Sequence, residues 1–173
     1  MRYLYFLIMM ILLCLYSIGC TPKKVDFVVP KDYKTWKKVT KKPLTYAVSG
    51  HRSGIRIIYG NAISFDPIIK KDDSGKKSTH MKDGAILIKE TYKNKLDYAA
   101  GKIRDLTIMH KNSKNKDALN GWMYYVRMMG KKPMGLQKSR MCVGCHEAAN
   151  DRHQYFDGNP QGLFRDYLFA KFR

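Results

Sequence analysis

The sequence predicts an α+β fold, an antiparallel β-sheet accompanied by a few helices. Two observations predict it. Apolar, β-branched runs with strand composition occupy the middle of the chain, and segments with helical spacing stand near both ends. No internal repeat divides the chain. We therefore assign residues 31–173 to one domain, which has the usual size of a single folded unit.

The first predicted element is a short helix over residues 31–39. Its Tyr33, Trp36 and Val39 recur at intervals of three and would form one apolar face. Residues 50–54, which begin and end with glycine, then predict a turn that leads into the first strand.

Four segments with strand composition follow, namely residues 55–59, 85–92, 103–109 and 122–129. Successive strand residues point to opposite faces of a sheet. The second strand therefore has two predicted faces, Ile86, Ile88 and Glu90 on one and Leu87, Lys89 and Thr91 on the other. Residues 66–78 and 111–117 are rich in charge and turn formers, so we predict loops there.

Two helices are predicted at the carboxyl end. Residues 139–149 surround a cysteine pair and are expected to be helical. Residues 163–172 (LFRDYLFAKF) predict a closing helix. Its inward side chains would be Leu163, Tyr167, Leu168 and Phe172.

The first residues have the pattern of an export signal. Arg2 precedes an uncharged run over residues 3–19, which is short for a membrane span of roughly 20 apolar residues. Cleavage before Cys20 resembles a bacterial lipoprotein signal, although Ser17 stands where leucine is usual. We predict a signal peptide over residues 1–19, lipidation of Cys20, a tether over residues 20–30 and a membrane-anchored periplasmic domain. A plain cleaved signal with a soluble periplasmic protein and an uncleaved anchor helix are the alternatives.

The charge of the chain suggests several partners. The formal net charge is +19, and the lysines are dispersed rather than gathered in one arm. Nucleic acid is the usual partner of such a charge, but an exported protein would rarely meet it, so we expect no nucleic acid. Anionic lipid headgroups and an acidic redox partner are better candidates. A solvated basic surface without a specific partner is an equal alternative.

Only two cysteines remain in the folded domain. Of the four, Cys14 would be lost with the signal and Cys20 would be acylated, which leaves Cys142 and Cys145. A pair at this spacing is found in redox dithiols, in zinc sites and at haem attachment sites. Export disfavours a cytosolic redox role, and no histidine stands at the spacing of a zinc site.

The run from Cys142 to His146 reads Cys-x-x-Cys-His. On a helical turn this spacing places both thiols on one side, where they can add to the two vinyl groups of a haem. The histidine that follows is then held beneath the iron as an axial ligand. We predict one covalently bound haem c, with Cys142 and Cys145 as its attachment points and His146 as its iron ligand.

A methionine that served as the sixth ligand of the iron would have to come from before the motif. All ten methionines precede the motif. The nearest candidates are Met123, Met128, Met129, Met134 and Met141. Methionine in apolar segments is more often core filler than a ligand. We therefore expect a five-coordinate iron with an open side for a small ligand.

Together these residues resemble the cytochrome P-460 and cytochrome c′-β family. The matching pieces are Tyr33 to Trp36, Gly50-His51, Arg56 to Tyr59 with Asn61, Asp83 to Glu90, Gly121-Trp122, and Cys142 to His146 followed by Asp151 and Tyr155-Phe156. The combination of the Asp-Gly-x-x-x-x-Lys-Glu run with a late haem motif is fairly specific. The resemblance implies an antiparallel fold with a few helices, a high-spin haem c and often a homodimer.

The resemblance also implies roles for three residues. Lys89 stands where the family cross-links a lysine to the porphyrin, and Arg56 matches an arginine on the distal side. A strand lysine that pairs with an acidic neighbour or reaches solvent is the alternative for Lys89. Members that oxidise hydroxylamine have a distal carboxylate shortly after the haem motif. Glu147 is the candidate here, with Ala148 or Ala149 as alternative occupants of that place.

The predicted function follows from these residues. We expect a haem protein that binds or redox-converts nitric oxide or hydroxylamine, with a second cytochrome as redox partner. If the chain is an enzyme, it is an oxidoreductase that acts on one of these compounds. A simple electron-transfer cytochrome without substrate chemistry is the alternative.

Overall fold

A six-stranded antiparallel sheet organises the part of the chain that the structure describes. The strands are β1 (Lys37–Lys38), β2 (Ile55–Gly60), β3 (Ile68–Lys71), β4 (Lys77–His80), β5 (Ile86–Tyr92), β6 (Asp105–Lys111), β7 (Trp122–Met128) and β8 (Leu136–Gln137). The sheet order is β1-β2-β5-β6-β7-β8, while β3 and β4 form a separate hairpin. The described residues also include two α-helices, α1 (Lys95–Ala99) and α2 (Arg140–Glu147), and three short 3-10 turns.

The structure is a computed structural model that describes residues 27–46, 53–128, 136–137 and 140–172. The predicted signal over residues 1–19, Cys20, most of the tether and the turn at residues 50–54 up to Arg52 lie outside the described residues. Within the described residues, no helix has the length and apolarity needed to cross a membrane.

Two apolar clusters cover the two faces of the sheet. The first contains Tyr33, Tyr59, Ile88, Ile108 and Tyr125, among others. The second contains Leu87, Met109, Trp122, Tyr124, Leu168 and Phe172. Full burial of one such side chain contributes about 1.5–3 kcal/mol, so both faces contribute to folding. The predicted α+β class with an antiparallel sheet is therefore confirmed.

Strand β5 shows the predicted alternation of its side chains. Ile88 belongs to the first cluster and Leu87 to the second. Glu90, only 1% exposed, lies with the tyrosines of the first cluster. Its carboxylate accepts hydrogen bonds from the hydroxyls of Tyr33, at 2.6 Å, and of Tyr92. Strand β5 therefore separates an acidic, tyrosine-rich face from the face that bears Lys89.

The predicted helix over residues 31–39 is wrong beyond one turn. A 3-10 turn covers Tyr33–Thr35, and Trp36 is already extended at φ −67° and ψ 157°. Tyr33 packs in the first cluster, whereas Val39 packs against the second. A single helical face cannot reach both sides of a sheet, so the chain instead crosses the sheet edge as strand β1.

The predicted loop over residues 66–78 is also wrong, because most of it forms the β3–β4 hairpin. Its turn residues are confined to the tip. The Asp72 carboxylate accepts from the backbone N–H groups of Ser74 at 3.0 Å and Lys76 at 2.9 Å. The composition of residues 66–78 is an average over these turn residues and the lysine-containing strands beside them, of which β3 is exposed and β4 is mostly half-buried.

The predicted closing helix over residues 163–172 does not form. The segment is irregular, and Asp166 and Tyr167 have positive φ angles of 50° and 67°, which no α-helix allows. Leu168 and Phe172 are nevertheless buried as expected. The other two inward residues that were predicted, Leu163 and Tyr167, are only half-buried.

The remaining elements match the prediction within about two residues, the usual disagreement at element ends. Strands β2, β5 and β7 lie where expected, β6 begins two residues late at Asp105, and α2 falls inside the predicted helix over residues 139–149. The short helix α1 was not predicted. Its Asn94 caps the first turn by accepting from the N–H of Asp97 at 2.9 Å.

Candidate functional site

Helix α2 carries both cysteines and the adjacent histidine of the Cys-x-x-Cys-His run. Residues three apart on a helix lie on one side, so Cys142 and Cys145 project in similar directions. Both are free thiols and half-buried. Cys142 packs against the second core cluster, while Cys145 lines a cavity. The two thiols are therefore available at the edge of one apolar space.

The His146 ring lines the same cavity, and its orientation is fixed. Its Nδ1 lies 2.8 Å from the backbone oxygen of Tyr167, and its ring contacts those of Tyr124 and Phe169. A carbonyl can only accept, so Nδ1 carries the proton and Nε2 carries the lone pair. Burial also lowers the pKa of His146. The imidazole is thus held neutral, which is the form that ligates a metal.

The cavity has a volume of about 330 Å³ and mostly apolar walls. It lies between the second face of the sheet, the end of α2 and the irregular carboxyl segment. Its apolar lining includes Val39, Leu44, Ile58, Leu87, Phe156, Leu168, Phe169 and Phe172. Such a cavity, with few polar groups, is typical of a binding site for an apolar cofactor.

Two basic side chains, Arg56 on β2 and Lys89 on β5, enter this cavity. Ile58 pairs with Lys89 across the two strands, so Arg56 is its diagonal neighbour on the same face. Burial, the nearby Arg56 charge and a smaller opposing effect of Asp105 set the pKa of Lys89 at about 7. Lys89 lies within the wall, with part of its side chain facing the cavity space. Its amine is therefore largely neutral above neutral pH.

Arg56 is only 1% exposed. Its Nη2 donates to the backbone oxygen of Tyr46, and its guanidinium lies 5.4 Å from the centre of the Tyr46 ring. Its buried Nε has no hydrogen-bond partner among the described residues. Burial lowers the pKa of this arginine. An orphaned donor at a cavity wall is a group that a bound molecule can satisfy.

Glu147, the candidate distal carboxylate, does not line the cavity. Its side chain is exposed and accepts from Asn120 Nδ2 at 3.2 Å. The next residue, Ala148, lines the cavity instead. None of the lining residues in the described part of the chain carries a carboxylate. The geometry brings Arg56, Lys89, Cys145 and His146 together and leaves Glu147 outside.

The methionines near the motif do not reach the cavity where they are described. Met123 packs in the first core cluster, Met128 ends β7, and Met141 is 71% exposed. Met129 and Met134 lie outside the described residues. Sequence reasoning missed Met109, which lines the cavity from β6. The signal was available, since Met109 alternates with Ile108 and faces Leu87 across the strand pair.

The Cytochrome P460 family model matches residues 30–170, which is most of the chain. The chain belongs to the cytochrome P460 family. The match includes the sheet, helix α2 and nearly all of the carboxyl segment that closes the cavity. No curated protein matches the chain.

Membership of the cytochrome P460 family implies that the chain binds haem. The residues around the cavity fit a haem. Two free thiols, a neutral imidazole and an apolar cavity with an orphaned Arg56 donor meet in one place. Cys142 and Cys145 would hold the porphyrin, and His146 Nε2 would ligate the iron.

Proposed function

We propose that this chain is an exported, lipid-anchored haem protein that binds or redox-converts small nitrogen species such as nitric oxide and hydroxylamine. In this proposal one haem is attached through Cys142 and Cys145. The observation that carries it is the hydrogen bond between His146 Nδ1 and the Tyr167 oxygen, 2.8 Å long, beside Cys145 on the cavity wall. This bond aims the nitrogen lone pair of Nε2 as an axial ligand requires.

An open coordination position supports ligand binding. The one thioether among the described lining residues is that of Met109, which packs in the second cluster with Leu87 and Trp122. That position is typical of core packing. A five-coordinate iron follows in this proposal. When bound, the haem supplies an electron-exchanging metal to which a small molecule can coordinate.

Arg56 and Lys89 would then act on the bound molecule. Arg56 offers a buried N–H donor that has no partner among the described residues. Lys89 offers an amine that is partly neutral near neutral pH, because the cavity sets its pKa at about 7. A neutral amine is nucleophilic, as a covalent link to the porphyrin would require; such a link would replace a porphyrin C–H bond by a C–N bond, with loss of two protons and two electrons to an oxidant such as a peroxide. The described lining residues include no carboxylate that could accept a proton during oxidation, so Lys89 is the remaining candidate base, and this proposal places binding ahead of oxidation.

A set of measurements on the matured protein tests this proposal. The pigment should resist extraction by acidified acetone, and the ferrous spectrum should be high-spin. Nitric oxide titration should show tight binding, and a steady-state assay with hydroxylamine and an artificial electron acceptor should show turnover near that of free haem. Turnover well above free haem would make the protein an oxidase. A low-spin, six-coordinate spectrum would support the electron-transfer alternative.

The lysine link has its own test. If Lys89 is linked to the porphyrin, the wild type should show the red-shifted absorption that is typical of such a cross-link, and replacement of Lys89 by alanine should remove it. The matched control is K93A, because Lys93 is exposed and close to Lys89 in sequence. Its spectrum should be unchanged. An unchanged spectrum for K89A would reject the link while leaving haem binding intact.

Export and anchoring are tested by fractionation. The full-length protein should sediment with membranes and be released by detergent. A C20S variant should be recovered in the soluble periplasmic fraction with its haem. Recovery of both proteins in the soluble fraction would reject the anchor, and retention of both in the membrane would favour an uncleaved helix.

A further inference from the structure

The corner formed by Asp166 and Tyr167 is unusual backbone. Both residues have left-handed φ angles, 50° and 67°, and neither is glycine. For residues with a Cβ this conformation costs free energy, so two in succession persist only where other contacts hold them. Residues in such conformations often have a positioning role. Contacts from other parts of the chain must therefore hold this corner in place.

The Asp166 side chain is the first of the contacts that hold the corner, and it is only 2% exposed. Its Oδ2 accepts from the backbone N–H of Met81 at 2.7 Å. Its Oδ1 accepts from Lys111 Nζ at 2.7 Å and from Trp122 Nε1 at 3.2 Å. The same indole N–H also reaches the Asp166 backbone oxygen at 3.0 Å. Three donors from the sheet and from the end of the hairpin thus bind one carboxylate.

A second contact comes from the helix side. Asn150 ends the 3-10 turn Ala148–Asn150 that follows α2. Its Oδ1 accepts from the N–H groups of Arg165 at 2.8 Å and of Tyr167 at 3.2 Å. The corner is therefore tied on one side to the sheet and on the other to the segment that carries His146.

The contacts of Asp166 and Asn150 together fix the direction of the Tyr167 carbonyl group. The Tyr167 oxygen lies 2.8 Å from His146 Nδ1. We propose that Asp166 is a positioning residue that, with Lys111 and Trp122, holds the Tyr167 carbonyl against the axial histidine and so sets its strength as an iron ligand. A strong hydrogen bond at Nδ1 makes the imidazole more basic at Nε2. The inference rests on the proposed role of His146.

The test uses the matured haem protein and D166N. Asparagine keeps the size of the side chain but has a single acceptor oxygen, so it cannot serve all three donors. The corner should shift and the Nδ1 hydrogen bond should weaken. The iron–histidine stretching frequency of the ferrous protein should fall, and the midpoint potential should rise, because a weaker donor stabilises the ferric iron less. D72N is the matched control, since Asp72 binds only its own exposed turn.

K111M keeps the test usable if D166N does not fold. It removes one donor and leaves the carboxylate with Met81 and Trp122, so the same shifts should appear at smaller size. Haem attachment with wild-type frequency and potential in D166N, or in K111M if D166N does not fold, would overturn the inference alone. A wild-type protein with haem but without an iron–histidine band would overturn it together with the proposed function.

Discussion

The hydroxyl of Tyr33 donates a 2.6 Å hydrogen bond to the carboxylate of Glu90, joining the segment before β1 to the centre of β5. Tyr92 donates to the other carboxylate oxygen, and Lys34 Nζ lies 3.6 Å from the oxygen that Tyr33 contacts. Burial, and after it the contact with Glu90, raises the pKa of Tyr33, so this tyrosine stays a donor at all ordinary pH values. The cluster ties the amino-terminal segment to the strand that carries Lys89.

Loss of this carboxylate should destabilise the fold. E90A leaves two tyrosine hydroxyls without their acceptor, and a buried unsatisfied group costs about 1–3 kcal/mol. We expect the free energy of unfolding to fall by about 2–4 kcal/mol in urea denaturation. The exposed Asp73 gives the control, D73A, with a change within about 0.5 kcal/mol. Equal stability of E90A and the wild type would contradict a structural role for the cluster.

Two glycines provide a matched pair of substitutions. Gly54 has φ +139°, and a Cβ there would lie 2.2 Å from the Tyr92 carbonyl oxygen. Gly75 has φ +78°, with no atom within 4 Å of its Cβ position. G75A should therefore cost only about 1–2 kcal/mol. G54A should cost more, because it adds a clash with backbone at the start of β2. Thermal unfolding of both variants tests the difference, and equal losses would contradict it.

The pKa of Lys89, about 7 in the folded chain, predicts a pH dependence of stability. The unfolded chain keeps this lysine protonated up to its ordinary pKa of 10.5. Between the two values the unfolded state binds the extra proton, so the free energy of unfolding rises with pH, by at most about 1.4 kcal/mol per pH unit. Below about pH 7 both states are protonated and the contribution no longer changes.

K89M should remove that slope while keeping a side chain of similar length. Urea denaturation at several pH values across the window, on wild type and variant, provides the measurement. The difference between the two proteins isolates Lys89 from the tyrosines that also titrate at high pH. Parallel curves would show that the amine is charged in the fold or already bonded covalently.

The two cysteines should contribute separately to haem retention. C142S and C145S each leave one thiol on the cavity side of α2, so each single variant should retain haem after acid–acetone extraction. The double variant should lose it, although the axial ligand His146 remains. Intact-protein mass before and after extraction distinguishes these cases. Pigment that survives extraction in the double variant would point to another covalent link, for which Lys89 is the candidate.

Much of the sheet follows from local pattern. The alternation of residues 86–91 correctly predicted that Leu87 and Ile88 lie on opposite faces. It succeeded because one-residue alternation is a local property of an extended chain. The same pattern placed Lys89 on the cavity side and Glu90 away from it.

The closing segment shows where local pattern fails. Residues 163–172 have helical spacing, but Asp166 binds Met81, Lys111 and Trp122, which are distant in sequence. These long-range bonds outweigh a weak helical preference. The carbonyl that orients His146 depends on this irregular backbone, so local pattern could not predict the contact between the Tyr167 carbonyl and His146. Glu147 was close in sequence to the motif but projects to solvent, since adjacent helical residues face different directions.

The placement of Lys89 and Glu90 has a consequence for tolerance to change. Because they are consecutive in β5, shifting that strand by one residue would move the amine among the tyrosines and the carboxylate into the apolar cavity. The Lys89 amine and the Glu90 carboxylate would then both lose the contacts they make in the native register. We therefore expect a single-residue insertion or deletion within β5 to be tolerated less well than a conservative substitution at one of its positions.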